Sequence, residues 1–495
     1  MPKDKKQWDK NHIFPINGSD FFCQFKLKSA DSYEAVVKPA PGSDGKDKLA
    51  GINLIDFTKS AIVSLDLVDS LFEPFTNGTI TVNNPFDYIE DNVQLRGDGK
   101  DILEVTLFDT NEPQGPMRTR SVEERQLKYQ FVIQDENNDV SKTDRSNNFK
   151  TYTLMDIDYW KLNEAVPYGK TYNGLVGDII KDILEEFGFD IHPTKWAPGD
   201  HLIYKFPENI IPPAGWRYSD LIKYLLRINF YISGDGELPV QGILKQERTM
   251  PGETTGKFTL QPLTKYFSDN KELTQESFTV ADLSDEQSAK DGDNENPNNT
   301  AVEQGEAPFN VNTGTLKNVN LVSPMTRFTN EFFMNYTVST HDVQTGQHTK
   351  DTVVIEDIKE RWTKAFVEVF KCVGGKPKPN LYLDKKNKNI YKNFSMPFRQ
   401  HVAMNLAYAQ MASNLLFFNL QLNFDNIGDT YRRTGRFIDV FRKQHDKRGG
   451  QDSKLLGRWF ITTLHHRFFK DKYQNVIQCV KPCIGPDKPP GGGKD

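Results

Sequence analysis

From Gly51 onward the chain is written in short β-rich runs broken by turn residues, which restricts it to folds built from many brief strands. Ala61 to Val68 forms the first run, and Asn77-Gly78 then separates Leu71-Phe72 from Thr79-Ile80-Thr81-Val82 in the manner of a hairpin. After Arg96-Gly97-Asp98-Gly99 come Ile102 to Phe108 and then Tyr129 to Ile133. Strands of this length and spacing fit an antiparallel barrel or sandwich. The 34 Phe, 18 Tyr, 34 Gly and 27 Pro agree with it. At 495 residues the chain exceeds what one core can organise, so two to four domains are expected.

Helical periodicity starts near Asn173. Leu175, Val176, Ile179, Ile180, Ile183, Leu184 and Phe187 share one face, and Gly188 is placed to stop the helix. A second amphipathic helix follows Pro212-Pro213, with Ser219 as its N-cap, Leu221, Ile222, Leu225 and Leu226 on one face, and Phe230 to Ser233 leaving as a strand. Two further helices are expected, one holding Ile358, Trp362, Phe366 and Val369, the other Val402, Leu406, Ala409 and Met411. β texture returns at Leu415 to Phe424, Arg436 to Phe441, Trp459 to Leu464 and Tyr473 to Val480.

The segment 281–308 carries eight acids against one lysine and no aromatic residue. It cannot bury enough apolar surface to offset its ordering entropy, so a disordered linker is expected. Residues 1–50 are polar apart from Phe21, Phe22, Phe25 and Leu27, and read as an extension that either docks on a neighbour or stays mobile. No run approaches the ~18 apolar residues of a membrane span. The first ten residues have no apolar stretch behind their lysines, so a secretory signal is not expected. A formal net charge of −5 argues against a general nucleic-acid binder.

Chemistry-bearing patterns are sparse. His465-His466 with Cys479 and Cys483 is the closest approach to soft metal ligands, but adjacent strand histidines point to opposite faces and the Cys spacing has no matching second pair. A half-buried histidine with incidental thiols outweighs a metal site there. Asp291-Gly292-Asp293-Asn294-Glu295 begins like a calcium loop, yet Asn296 and Val302 stand where glycine and glutamate are required. Gly97-Asp98-Gly99-Lys100 and Gly174-Leu175-Val176-Gly177 lack the full phosphate-loop pattern and read as turn or packing glycines. There is neither a G-x-S-x-G elbow nor an H-E-x-x-H helix. No catalytic, cofactor-binding or metal residue is therefore assigned, and an enzyme is not expected. The window 430–472 holds twelve Lys/Arg against four Asp, a local net of +8, and its loop from Arg442 to Arg458 reads as solvated or protein-facing.

Four stretches together resemble the central baseplate hub proteins of contractile-tailed bacteriophages, whose relatives include the N-terminal part of type VI secretion spike proteins. Leu71 to Val82 followed by Leu95-Arg96-Gly97 is similar to the family's first-barrel element, and Tyr172 to Gly188 to the helix after that barrel. Ile210-Ile211-Pro212-Pro213 through Ile232 to Gly242-Ile243-Leu244 resembles the passage toward a second barrel. Gly428-Asp429, Gly435 to Phe441, Leu456 to His466 and Tyr473 resemble that barrel's closing hairpin.

The fold class that follows is α+β, mainly β: two tube-like antiparallel β-barrels with an inserted α/β domain and a polar linker. The expected layout is an N-terminal extension (1–50), a first barrel (51–138), an α/β domain (139–239), a second barrel (240–270 with 400–485), an acidic linker (271–320), an α/β insertion (321–399) and a flexible tail (486–495). The resemblance implies a structural homotrimer that forms a pseudo-sixfold ring between a tail tube protein and a central spike protein. It also implies contacts with the tape measure protein and baseplate wedge, no membrane, no sequence-specific nucleic acid, and a place in the virion after assembly in the host cytoplasm. The alternative from another class is a carbohydrate-binding or glycan-degrading phage tail component, which exposed Trp and Tyr beside paired carboxylates would favour.

Overall fold

The computed structural model describes residues 13–16, 19–28, 54–57, 61–93, 95, 101–109, 126–139, 148–192, 205–231, 238–247, 257–270, 274–280, 312–315, 317–322, 335–341, 346–353, 391–396, 400–417, 420–430, 432–442, 455, 457–469 and 472–482. The acidic segment 281–308, the expected helix at 358–369, the body of the basic loop, Gly97 to Lys100, Cys372, Cys483 and the tail lie outside them.

The first barrel uses β1 (Ile13–Ile16), β2 (Ser19–Lys28), β3 (Leu54–Phe57), β4 (Ile62–Ser70), β5 (Asn77–Asn83), β6 (Ile102–Asp109), β7 (Leu127–Asp139) and β8 (Phe149–Asp156). β1 and β3 both pair with β2, and the order then runs β2-β6-β7-β8-β5-β4, antiparallel throughout. Alternation drives it: Leu65, Leu67, Ile80, Val82, Leu103, Val105, Tyr152 and Leu154 point into one core, and the residues between them face outward. β2, expected within an extension, is an integral wall, because Cys23, Phe25 and Leu27 are spaced at period two and are all buried. Asn77-Gly78 is not the turn between strands. It opens β5, where a Cβ on Gly78 would stand 2.5 Å from the Asp66 carbonyl oxygen and 2.7 Å from Leu67 Cδ2. The turn is made by residues 71–76 instead.

The α/β layer follows. Helix α1 (Tyr88–Asn92) belongs to the first barrel, and α2 (Ile157–Glu164) leaves β8, capped by Asp156, which accepts from the Asp158 and Tyr159 amides. β9 (Tyr172–Leu175) pairs with β11 (Lys205–Ile210). A four-stranded sheet is ordered β10 (Asp190–His192), β14 (Lys257–Pro262), β13 (Val240–Glu247), β12 (Phe230–Tyr231). Helix α3 (Val176–Glu186) begins later than its periodicity suggests, since Gly174 sits at φ 123° within β9. It ends as read: Gly188 at φ 77° donates to the Glu185 carbonyl and Phe189 to that of Leu184, the paired bonds of a Schellman stop. Helix α4 (Tyr218–Ile228) starts one residue before Ser219, and its N-cap is Arg217, whose amide donates to Asp220. Ser219 instead donates to Asn163 on α2.

The second barrel is composed differently from the expectation. β13 and β14, expected in it, stay in the α/β sheet, where Val240, Leu244, Phe258 and Leu260 share a core with Ile180, Leu221 and Leu225. The barrel recruits β15 (Thr274–Val280), β16 (Asn312–Thr315) and β17 (Lys317–Val322), all or mostly from the expected linker. It completes itself with β21 (Leu420–Ile427), β22 (Phe437–Arg442), β23 (Gly457–Phe469) and β24 (Lys472–Lys481). β15 is parallel to β22 and to β16, while β17 is antiparallel to β21. In the sequence only Leu316 separates β16 from β17, so one stretch bridges β15 and β21 and closes the ring β15-β22-β23-β24-β21. Trp459, Ile461, Leu422, Phe424, Ile438 and Ile477 fill it. Helix α5 (Leu263–Asn270) brings Phe267 edge-on to Phe460, at 4.8 Å between ring centroids, and so seats the α/β layer on this barrel.

A three-stranded sheet, β18 (Asn335–His341) between β19 (His348–Val353) and β20 (Tyr391–Met396), completes the fold. Helix α6 (Gln400–Phe417) packs against it and against β13. The helix runs through Leu415, where strand was expected, and β21 begins only at Leu420.

Candidate functional site: the seam between the barrels and its exposed faces

The hairpin β23-β24 belongs to both barrels. Residues 457–460 pair with β22, a register irregularity falls at Thr462, and residues 463–469 then pair with β4. At the irregularity the Thr462 carbonyl accepts from the Leu71 amide at 2.8 Å, and its hydroxyl donates to the Gln478 carbonyl at 3.2 Å. Such a bulge re-aims a strand. Here it hands the strand from one barrel to the other, so Phe468 and Tyr473 enter the first core while Trp459 and Ile461 stay in the second.

Beyond the bulge the two histidines do face opposite sides. His465 Nδ1 lies 3.2 Å from Asp66, and Arg467 Nε donates to the same carboxylate at 2.9 Å. Burial raises the Asp66 carboxyl pKa, but the His465 hydrogen bond and the Arg467 charge outweigh it and hold it below the usual range. His466 is fully buried. Asn475 Oδ1 accepts from Arg432 Nη1 at 2.8 Å and from the Asp429 amide at 2.7 Å, which turns the Asn475 amide nitrogen toward His466 Nδ1 at 3.0 Å. Nδ1 is therefore an acceptor, with the Tyr473 hydroxyl also 2.6 Å away, and the ring proton resides on Nε2. The backbone at Gly428 lies against the Tyr473 ring so closely that a Cβ would stand 2.0 Å from it.

A second polar contact ties three parts together. Lys245 of β13 pairs with Asp69 of β4 and donates to the Ser70 carbonyl at 2.8 Å, while Thr434, ahead of β22, donates to Asp69 at 3.2 Å. Asp69 and Lys245 retain little exposure, 8% and 14% of their side chains, so neither charge has bulk water as an alternative partner.

The remaining sequence-flagged residues do not converge. Cys479 stands opposite Ile461, whereas His466 stands opposite Asn475, about 13 Å along the strand at ~3.3 Å per residue. Burial pushes the Cys479 thiol well up, so it is a core residue rather than a ligand. Three cations of the basic window are structural: Arg432 holds Asn475, Arg458 donates to Asp439 at 3.2 Å, and Arg467 holds Asp66. The composition of the window gave no sign of this, because pairing across strands depends on register. Among the described residues no group of three or more His, Cys, Asp or Glu is arranged to hold a metal, and no helix is long and apolar enough to cross a membrane.

Two surface features escaped the sequence reading. Phe86 and Asp87 both adopt left-handed backbone, φ 56° and 57°, which places Phe86 and Tyr88 in solvent at the end of the first barrel. Buried Asn84 fixes that turn, since its Oδ1 accepts from the Ile89 amide and its Nδ2 donates to Glu90. On the α/β layer the loop after α2 meets the loop after β11 through Tyr218 N to Ala165 O, and together they expose Val166, Tyr168 (94%) and Ile211 (71%).

No family model matches the chain, and no curated protein does. Its fold is similar to that of a tail protein from Neisseria meningitidis MC58, at 9% identity and TM-score 0.46 over 94% of this chain and 99% of that one. It is similar to the 43 kDa tail protein of prophage MuSo2 from Shewanella oneidensis, at 10% identity and TM-score 0.45 over 93% and 98%. A Francisella PdpA–VgrG complex contains a third similar chain, at 10% identity and TM-score 0.44 over 96% of this chain and 60% of that one.

Proposed function

We propose that this protein is a structural baseplate hub of a contractile phage tail, a homotrimer that joins a tail tube protein to a central spike protein and carries no catalysis. The observation behind this reading is the shared β23-β24 hairpin. It holds two barrels side by side within one hydrogen-bonded sheet, so each chain supplies two consecutive places in a ring. Three chains then give six places to match a sixfold tube, each joined to the next through one repeated heterologous interface. The sequence resemblance points the same way. Phe86 and Tyr88 on the first barrel, and Val166, Tyr168 and Ile211 on the α/β layer, offer the apolar contacts such neighbours need. Tape measure and wedge proteins are further partners on this reading, and the virion is its location.

Native mass spectrometry at micromolar concentration is expected to show a trimer, or a monomer that trimerises with its tube or spike partner. A stable dimer, or turnover of cell-wall or capsular polysaccharide abolished by changing one carboxylate, overturns the proposal.

A further inference from the structure

In the three-stranded sheet, β18 and β19 run antiparallel in an unbroken register from Tyr336 opposite Val353 to His341 opposite His348. The two histidines form the last pair of that ladder. Their rings stand face to face, 4.2 Å between centroids and 23° between planes, and both side chains are exposed. No hydrogen bond or ion pair engages either ring among the described residues.

From this geometry we propose that His341 and His348 form a two-imidazole clamp for a divalent transition-metal cation. Directly opposed strand residues have Cβ atoms ~4.5–5.5 Å apart. Two imidazole nitrogens bound at ~2.0–2.1 Å in a tetrahedral sphere lie about 3.3 Å from each other. As they stand the rings are stacked and their in-plane lone pairs do not converge, but both side chains are exposed, so rotation about the Cα–Cβ and Cβ–Cγ bonds unstacks them and turns one nitrogen of each toward a shared ion, with no change in the backbone ladder. The other coordination positions open to water.

The surroundings select the ion. The nearest residues on the same face, two positions along each strand, are Ser339 and Lys350, themselves a cross-strand pair. Asp351 alternates to the other face. Among the described residues no carboxylate of β18 or β19 shares that face with the two nitrogens, so the pair suits borderline ions that accept imidazole better than calcium or magnesium, which require oxygen ligands. Affinity is expected to rank Cu²⁺ above Ni²⁺ and Zn²⁺. Binding staples β19, the edge strand of this sheet, to β18.

The test uses the full chain and CuCl₂, NiCl₂ or ZnCl₂ as the probe, followed by isothermal titration, with electron paramagnetic resonance for copper. One site per chain is expected, with nitrogen hyperfine structure from two imidazoles. His341→Ala and His348→Ala are each expected to weaken it about tenfold or more, since losing even an outer-shell partner of a metal ligand costs ~10–100-fold. His192→Ala, on β10, is expected to leave it unchanged. Equal binding by the double variant H341A/H348A, an equal loss in H192A, or no binding at millimolar metal overturns the proposal. Circular dichroism of each variant confirms that the fold is retained. The assembly reading does not enter this test.

Discussion

Phe468, near the tip of the last hairpin, packs against Phe25 from the second strand of the chain, with ring centroids 6.4 Å apart and planes tilted by 48°. This pair is where the first barrel curls round on itself, and one of its members comes from a hairpin that also lines the second barrel. Phe468→Ala is expected to destabilise the protein by about 3–5 kcal/mol, the usual cost of truncating a buried aromatic ring. Because β23 runs through both barrels, thermal unfolding followed by far-UV and near-UV circular dichroism should shift as one transition. Loss of the first barrel alone, with the second melting unchanged, would show that the hairpin does not couple them.

Lys245→Met is expected to be costlier than a surface change, about 3–5 kcal/mol, because it takes the ammonium partner away from the buried Asp69 carboxylate, which Thr434 also bonds. The double variant D69N/K245M is expected to recover part of that loss. Chemical denaturation of the two variants measures the difference, and equal stabilities would show that the pair is solvated.

Asp156 titrates abnormally. Burial pushes its carboxyl up, the neighbouring Asp158 charge adds to this, and the amide hydrogen bonds at the start of α2 only partly oppose them, leaving a pKa of about 7. Between about 4 and 7 the folded state therefore holds a proton that the unfolded state has released, so stability falls as pH rises through that window. Asp156→Asn keeps the cap, since asparagine is an equally good N-cap, and removes the charge. It is expected to be more stable than the parent at pH 8 and to flatten the dependence between pH 4 and 7. Melting temperatures across pH check this, and a parallel pair of curves refutes it.

Gly428→Ala is expected to cost about 1–3 kcal/mol, the range for overpacking a filled site. The new methyl can be accommodated only by moving the Tyr473 ring, which lies parallel to the His466 ring and has its hydroxyl against that histidine's Nδ1. Perturbed Tyr473 and His466 side-chain resonances should accompany the loss.

Local signals carried a good part of the fold. The period-two burial of β4 and β6 and the single-faced helix α3 with its Gly188 stop were legible, because burial on one side imposes a rhythm on the residues themselves. What could not be read was partnership. Thr274 to Val280 has strand-forming Thr, Phe and Val, yet it adjoins an acidic run, and only its parallel pairing with β22 shows it to be barrel wall. Val240 to Glu247 alternates as a barrel strand would, but its partners are β12 and β14. The seam was invisible for the same reason: Asp66 and Arg467 are 401 positions apart, and nothing local to either marks the other.

The shared hairpin also sets an order of events during synthesis. Until the ribosome has released the residues up to 481, the first barrel lacks its β23 wall and the second lacks two strands of its ring. A fragment from a stalled or degraded message therefore displays open sheet edges on both units at once, where chaperones and proteases recognise it. Only chains that carry this hairpin have β4, β21 and β22 paired along it, so shortened copies are expected to be cleared before they can take a place among intact ones.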